Sequence, residues 1–531
     1  MRRLPRARRA VVLLGAGALA LLGGCRPRAP EATPVQALIV LVPALPDVLD
    51  PFQESAGTGD VVFFNVFEPL LRSTPSGAVE PALARSWDAS RPGALTLQLK
   101  PGVRFHDGTP LEAAHVVASL EAARKPGSPF AARLADVSHV RASGRDAVVL
   151  EAVTGAALTP QAVADIPVVK PAPGADLPSG TGPYRVTAFT TGESATLEAA
   201  EGHPLKPTLA QVTIRRFHGP DDVLKALEGG AEAPLVLAPP ADALALARSN
   251  ERYRVVTQPG NDVITLGFDV AREPTPGVGL SRNPFRSGPV RRALRLALDR
   301  EALRQGFEGG ALAATQIVPP GSFGFDPGLE APAARTDEAK ALLRGAGLPR
   351  GFEVRLDLAR EHEALGRALA GQLEGVGISV KLNPLRTEQL GGVMRNESSL
   401  ALWSWAPGPD AAWALRAGVH TRAPERGFGG SNWTGYSDPE VDRGIEKAIA
   451  ASDPAARREA LQATLRRLAE DGAWIPLLVP NATFVLPKGL TFPARPDGRI
   501  ALAEARLQPQ PASTPPAKRR QGSEKRAMLG T

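Results

Sequence analysis

The chain has almost no cysteine, since Cys25 is the only one among 531 residues. A single thiol excludes an intramolecular disulfide and a metal site built on a cysteine pair. The seven histidines are scattered along the chain without the spacing that metal ligands show. The sequence therefore predicts neither a metal site nor a cofactor.

Signatures of hydrolytic enzymes are also missing. The chain has no Gly-x-Ser-x-Gly elbow and no glycine-rich phosphate loop ending in Lys-Ser or Lys-Thr. His362 and Glu363 begin like a zinc-protease helix, but Gly366 stands where the second histidine is needed. His106 and Asp107 could form half of a catalytic pair, although the glycine that follows explains them as a turn. We therefore predict no catalytic residue and a protein that is not an enzyme.

Long apolar runs are missing except near the start of the chain. Residues 10–22 are apolar and follow five arginines, and the run is too short to span a membrane comfortably. It fits a secretory signal, and residues 22–25 (LGGC) look like a bacterial lipoprotein processing site. We predict a signal peptide over residues 1–25, lipid on Cys25 and a tether over residues 26–34. The alternative is a plain secretory signal with an incidental cysteine.

The net charge of +7 comes from the two ends of the chain. Arginines crowd the first nine residues, and basic residues recur in the proline-rich tail from 508 to 531, which we predict to be disordered. The remaining body has a small negative charge. The basic composition is therefore no indication of nucleic-acid binding, and none is expected.

Strand and helix patterns alternate through the body of the chain. Residues 37–42, 352–356 and 378–382 are typical of strands. Residues 290–305 predict one amphipathic helix. Thr109, followed by Pro110 and Glu112, predicts a capped helix start. The sequence therefore predicts an α/β fold with mixed sheets.

Tryptophan is concentrated in one segment. Four of the six tryptophans, Trp403, Trp405, Trp413 and Trp433, lie within about thirty residues that are rich in proline and glycine. Indole rings in such a segment favour a loop that lines a cavity, because an indole offers a large contact area at low entropic cost. Packing in the core is the alternative, and it is equally open for Trp403 and Trp433.

Several short motifs occur in a characteristic order. Residues 67–71 read FEPLL, residues 81–87 read PALARSW and residues 101–110 read PGVRFHDGTP. Further motifs lie at residues 49–51, 180–184, 290–300, 339–347 and 432–442. Together they resemble the extracytoplasmic solute-binding proteins of the peptide/nickel type, family 5, which serve ABC importers. The resemblance covers residues 35–505.

The resemblance implies a periplasmic-binding-protein type II clamp with two lobes and an inserted third subdomain. Lobe I would be discontinuous, made of residues 35–75, 180–270 and 475–507. The inserted subdomain would span residues 76–179, and lobe II would span residues 271–474. The ligand would bind between the lobes as a hinge closes.

The resemblance also implies where a peptide ligand would be read. In peptide-binding relatives an aspartate shortly after the pocket tryptophan pairs with the amino terminus of the peptide. Here Trp405 is followed by Gly408 at the expected carboxylate position, and Asp410 lies two residues further on. Asp410 could supply the charge from a shifted loop or could cap the next helix. The predicted ligand contacts are Trp403, Trp405, Asp410, Trp413 and Trp433.

The predicted function is a lipid-anchored receptor of an ABC importer that captures a small solute, with a peptide favoured. Nickel chelates and sugars remain open as ligands. The expected partners are the permease subunits in the membrane, the location is the periplasm or cell envelope, and a monomer is expected. The alternatives are a lipoprotein that keeps the fold without a small-molecule ligand, and a secreted hydrolase.

Overall fold

A computed structural model describes residues 36–53, 60–74, 76, 78–153, 158–170, 177–229, 233–471, 473–493, 495 and 499–508. The predicted signal peptide, the lipidation site Cys25, the tether and nearly all of the basic tail lie outside these residues. Within the described part, no helix is long and apolar enough to cross a membrane.

The strands lie in chain order as follows: β1 Ala37–Val42, β2 Leu71–Ser73, β3 Val79–Pro81, β4 Ala84–Asp88, β5 Ala94–Leu99, β6 Val137–Ala142, β7 Ala147–Ala152, β8 Tyr184–Thr190, β9 Ser194–Ala199, β10 Gln211–Arg216, β11 Leu235–Leu237, β12 Tyr253–Pro259, β13 Val263–Phe268, β14 Ala311–Ala313, β15 Phe352–Ala359, β16 Ile378–Leu385, β17 Leu400–Trp405, β18 Trp474–Pro487, β19 Leu490–Thr491 and β20 Arg506–Leu507.

The α-helices are α1 Asp60–Val66, α2 Ala113–Ala123, α3 Pro160–Val163, α4 Pro220–Glu228, α5 Ala241–Ser249, α6 Gly288–Ala297, α7 Arg300–Gln305, α8 Thr336–Gly345, α9 Glu363–Glu374, α10 Thr387–Asn396, α11 Ala411–Gly418, α12 Pro439–Ala450 and α13 Pro454–Asp471. Short 3-10 helices span Ala131–Leu134, Pro284–Arg286, Arg360–His362, Pro424–Arg426 and Leu502–Glu504.

One mixed sheet of 12 strands forms the frame of the protein. Ten of its strands follow the order β16-β15-β17-β13-β18-β11-β1-β10-β9-β8, and β12 and β14 also pair with β18. β1 lies between two parallel neighbours, β10 and β11, which explains its nearly continuous apolar sequence. The prediction of an α/β fold with mixed sheets is confirmed.

β18 holds the two halves of this sheet together. Its first half, up to Pro480, pairs with β13 and β14, and its second half, from Asn481, pairs with β12 and β11. The chain also passes from one half to the other between β12 and β13, where the Gly260 amide donates to the Pro480 carbonyl at 2.9 Å. We call these two points, at which the chain passes from one half of the sheet to the other, the crossings. They lie side by side.

A separate antiparallel sheet, with the order β4-β5-β7-β6, packs against α2. The predicted start of α2 is wrong by three residues. Glu112 is the N-cap, and its backbone amide donates to His115 Nδ1 at 3.1 Å. Thr109 instead donates its backbone amide to Asp107 at 2.9 Å, which closes the turn before the helix.

The single helix predicted over residues 290–305 is two helices, α6 and α7. α6 ends at Ala297, and Asp299 caps α7 by accepting a hydrogen bond from the Ala302 amide at 3.0 Å. The apolar spacing continues through the break, so periodicity alone did not reveal it. Asp299 is a favoured N-cap residue that marks the second start.

The apolar core is divided among clusters that match the sheet halves. One large cluster joins β1, β8–β10, the four-stranded sheet and residues 484–505. A second surrounds β13, β15 and α6, and a third joins α11, α12 and α13 to β17. These clusters do not test the lobe boundaries, which remain a prediction.

Candidate ligand-binding cavity

A cavity of about 390 Å³ lies between these packed groups. One wall comes from α1 and the residues before β2, together with residues 129–133 and 165–167. The facing wall is the segment from Trp405 to Ala417, and residues 495–504 complete the lining. A space of this size is in the range of small-molecule sites.

Helix α1 and the residue that follows it bring aromatic side chains to the first wall. Phe63, Phe64 and Phe67 all line the cavity. Asn65, on the same helix, is buried and donates to the carbonyls of Val61 and Ile500, both at 2.8 Å. The Asn65 amide thereby ties α1 to the segment near residue 500, so that both line one space.

The facing wall consists of the end of β17, the loop that follows it and helix α11. Phe323 fixes this loop from outside, because its amide donates to the Pro409 carbonyl at 2.8 Å and its carbonyl accepts from Ala411 at 3.0 Å. Gly408 has a left-handed backbone with φ of +73°, which glycine adopts without the strain that a side chain brings. The glycine that replaces the expected carboxylate therefore serves the shape of the loop.

Trp405 forms the aromatic floor of this loop. Its ring meets Trp474 edge to face at 5.1 Å, and its indole nitrogen is buried without a hydrogen-bond partner among the described residues. A Cβ at Gly418 would lie 2.4 Å from the Trp405 ring. Glycine at position 418 therefore leaves room for the Trp405 ring, which also lines the cavity, to approach α11 closely.

Trp403 and Trp433 lie elsewhere, in the core. Their rings meet edge to face at 5.5 Å, and both lie close over Gly267 of β13. Neither is among the residues that line the cavity, whereas Trp405, Asp410 and Trp413 are. Of the two placements left open for Trp403 and Trp433, the structure has core packing, and we do not carry these two forward as ligand contacts.

Asp410 caps helix α11 and forms a buried ion pair. Its Oδ1 accepts from the Ala412 amide at 2.9 Å, and its Oδ2 accepts from Nη1 of Arg457, a residue of α13 that is fully buried. Arg457 Nε and Nη2 have no acceptor in the described part of the chain. The carboxylate is thus shared between a helix end and a guanidinium.

Trp413 lies close to two arginines. The guanidinium carbons of Arg133 and Arg457 are 5.4 Å and 5.8 Å from the centre of its ring, which is cation–π range. Arg133 donates through Nη2 to the carbonyls of Gln161, at 2.9 Å, and Ala164. Burial lowers the pKa of the Arg133 guanidinium, and nearby carboxylates, including Asp410, oppose that shift.

Charged side chains are numerous in the lining. They are Arg72, Arg133, Arg495, Arg499, Glu68, Asp165, Asp410 and Glu504. Sequence reasoning identified only Asp410 among them. The arginines lie on separate elements, either far before the tryptophan segment or after it in the chain, and no local motif marks them.

His106 and Asp107 lie in a turn away from the cavity lining. The Gly180 amide donates to His106 Nδ1 at 3.2 Å, and His106 Nε2 lies 2.9 Å from the Gly182 carbonyl. Asp107 pairs with Lys170. Burial tends to raise the pKa of Asp107, but hydrogen bonds from Lys170 and Thr109 outweigh it and lower this pKa to about 2. Both side chains hold the turn.

The described residues contain no group of three histidine, cysteine, aspartate or glutamate side chains that could hold a metal ion.

A second buried arginine ties α11 to another part of the chain, the residue just before β6. Arg416 of α11 is fully buried and forms a bidentate pair with Asp136, at 2.7 Å and 3.2 Å. The same guanidinium lies 4.2 Å from the centre of the Phe428 ring.

The sequence matches the family model of bacterial extracellular solute-binding proteins, family 5 Middle, over residues 78–423. Among curated proteins it is similar to the glutathione-binding protein GsiB of Escherichia coli. The K12 protein is 25% identical over 535 residues, an alignment that covers 94% of this chain and 99% of GsiB.

Solved structures show the same fold. The substrate-binding protein CtaP of Listeria monocytogenes superposes with a TM-score of 0.74 at 23% identity, covering 89% of this chain and 99% of CtaP. DppA of Helicobacter pylori, in complex with the peptide STSA, gives 0.71 at 19% identity, covering 89% and 98%. NikA of Staphylococcus aureus, in complex with Ni(L-His)2, gives 0.69 at 17% identity, covering 89% and 100%.

Proposed function

The chain belongs to the bacterial extracellular solute-binding proteins of family 5, and from this membership we propose that it is a lipid-anchored receptor for small peptides. Membership makes it an extracytoplasmic solute-binding protein of ABC import rather than an enzyme. The two-lobed type II fold of this family is also shown. The peptide, the lipid anchor and closure by a hinge are proposals.

The cavity between the two walls is the observation that supports this proposal. It is lined by aromatic rings on both sides, from α1 and from the Trp405–Trp413 segment, with charged groups between them. Its volume of about 390 Å³ suits a ligand of a few residues rather than a long chain. GsiB, which is similar over nearly its whole length, is named for binding glutathione, a tripeptide.

We propose that lobe I consists of residues 35–75, 180–270 and 475–507, with residues 76–179 inserted and residues 271–474 as lobe II. The pairing of β13 and of the first half of β18 with strands of the proposed lobe II supports boundaries a few residues away from these, near 259–263 and 480–481. Two adjacent crossings form a hinge about which the walls can approach each other. Closure would present a single shape to the permease subunits.

Identification of the ligand tests the receptor proposal. The protein is purified without denaturation, and the bound molecule is identified by native mass spectrometry. We expect a stoichiometric small peptide, and its addition to the emptied protein should reduce the radius of gyration in solution scattering. Absence of any bound solute, together with no compaction by glutathione, a tripeptide pool, nickel–histidine or sugars, contradicts the proposal and favours a lipoprotein without a ligand.

The lipid anchor is tested separately with Cys25→Ala. Several acyl chains hold a protein at a bilayer, and the variant has no sulfur to carry them. We expect the wild-type chain in the membrane fraction, labelled by radioactive palmitate, and the variant unlabelled and unattached. A wild-type chain without label contradicts the anchor and leaves the receptor proposal intact.

A further inference from the structure

Asp410 already has a buried cation as its partner. It accepts from the Ala412 amide at 2.9 Å and from Arg457, and both Asp410 and Arg457 are buried. Because Arg457 balances its charge, a ligand ammonium at the same carboxylate would lie beside a guanidinium of like charge. Asp410 is therefore a weaker partner for the amino terminus of a peptide than an unpaired carboxylate would be.

The same end of the cavity has unused hydrogen-bond donors. Within the described chain, Arg133 donates only through Nη2, and its Nε is buried without an acceptor. Arg457, whose guanidinium carbon is 5.8 Å from the centre of the Trp413 ring, has two further nitrogens without acceptors among the described residues. Buried donors without partners are costly, and an incoming oxygen would relieve that cost.

Three further arginines line the cavity. Arg72 is exposed at the cavity and its side chain makes no hydrogen bond or ion pair within the described chain. The guanidinium carbons of Arg495 and Arg499 lie 4.9 Å and 5.4 Å from the centre of the Phe64 ring. The lining thus holds four guanidinium groups and four carboxylates, and one of these carboxylates, Asp410, is already paired with Arg457, which lies outside the lining.

We propose that a carboxylate is the main polar anchor of the ligand, held at the Trp413 end by Arg133, and that no ligand ammonium pairs with Asp410. A guanidinium donates charge-assisted hydrogen bonds to a carboxylate, and Nη1 and Nε of Arg133 have no acceptor among the described residues, whereas Nη2 is already bonded to two carbonyls. This inference deepens the proposed receptor function and rests on it. It assigns the substrate class as small acidic solutes, including peptides with a free carboxyl end.

Ligand variants separate this inference from the receptor proposal. Calorimetric titration compares a tripeptide pool in its free, N-acetylated and C-amidated forms, glutathione with its diethyl ester, and a second set of succinate and citrate. We expect amidation or esterification to weaken binding at least tenfold, and N-acetylation to weaken it less than threefold. The opposite ranking overturns the inference and leaves peptide binding intact. Binding of succinate or citrate alone overturns the peptide proposal and supports the inference, and no binding at all overturns both.

Protein variants test the assigned arginines. Arg133→Gln should weaken binding of the free-acid tripeptide pool at least tenfold, and Arg133→Lys should recover part of the affinity because the charge remains. Arg72→Gln should weaken it severalfold without affecting folding, because the Arg72 side chain contacts no described residue through a hydrogen bond. Arg85→Gln, an exposed site on β4 outside the lining, is the matched control. Equal affinity in the Arg133 and Arg85 variants, with unchanged unfolding temperatures, overturns the inference.

Discussion

At the scale of single residues, two glycines leave room for tryptophan rings, one in the core and one at the cavity. A Cβ at Gly267 would lie 2.6 Å from Trp403 in the core, and a Cβ at Gly418 would lie 2.4 Å from Trp405 at the cavity. We expect Gly267→Ala to lower the free energy of unfolding by about 1–3 kcal/mol, because the packed ring has no room to move. Gly418→Ala should cost less stability, since Trp405 can shift toward the cavity.

Urea unfolding and ligand titration of each variant distinguish the roles of the two glycines. Gly418→Ala should weaken ligand binding severalfold with little change in the urea midpoint, and Gly267→Ala should do the reverse. Equal losses of affinity in both variants would mean that Trp403 also contacts the ligand, as the tryptophan pattern first allowed.

His106 makes stability depend on pH. Burial lowers the pKa of His106 below its ordinary 6.5. Below pH 6.5 the unfolded chain takes up a proton that the folded chain does not, so the free energy of unfolding falls as pH decreases, by up to about 1.4 kcal/mol per pH unit. His106→Gln should flatten this dependence between pH 6.5 and 5. His139→Gln, at an exposed strand position, should leave it unchanged.

The measurement is chemical unfolding at a series of pH values. Burial also lowers the pKa of His362, so part of the slope persists in His106→Gln. Asp107 acts in a lower window, since its pKa of about 2 makes its contribution disappear only as pH falls from near 3.8 toward 2. A slope between pH 6.5 and 5 that is identical in the wild type and His106→Gln contradicts the assignment.

At the scale of elements, one ion pair joins the start of α11 to α13. Arg457→Met leaves the Asp410 carboxylate buried without its partner, and we expect a loss of about 3–5 kcal/mol in the free energy of unfolding. Asp410→Asn should be similarly costly, because Arg457 is fully buried. The double variant should recover a large part of the loss. A thermodynamic cycle from urea unfolding gives the coupling, and additive losses would show that the two groups act independently.

The elements also show what the sequence could and could not predict. β1 follows from its apolar run, and β15 and β16 follow from their strand patterns. Trp405 and Trp413 line the described cavity, and their contact with a ligand remains a prediction. The break between α6 and α7 was missed because the apolar face continues through it. Arg133 and Arg457 were missed because their neighbours come from distant elements, and no local pattern records which side chains a fold brings to one ring.

At the scale of the whole molecule, the Asp136–Arg416 pair joins residues that are assigned to different predicted subdomains. Asp136 lies in the predicted inserted subdomain and Arg416 in the predicted lobe II. In Asp136→Asn, the fully buried Arg416 has no counter-charge in this structure, and the proposed hinge opening would expose it to water. We therefore expect a larger radius of gyration without ligand and an affinity that is severalfold lower.

Small-angle scattering with and without ligand measures this change. The matched control is Asp146→Asn, an exposed position in the same four-stranded sheet region. Saturating ligand should restore the wild-type radius of gyration in Asp136→Asn, because ligand binding favours the closed arrangement. Identical scattering profiles of Asp136→Asn and Asp146→Asn would show that the ion pair does not hold the walls together.

The position of β18 near the end of the chain governs the order in which the protein can fold. Within the described sheet, β12 and β14 pair with no other strand, and without β18 the remaining strands divide into two separate sets. A ribosome or an export channel releases the chain from its amino terminus, so this strand emerges after more than 470 residues. Until β18 emerges, β13 in one set and β11 in the other lack the strand with which they pair. Completion of the fold is thereby delayed until nearly the whole chain has been released.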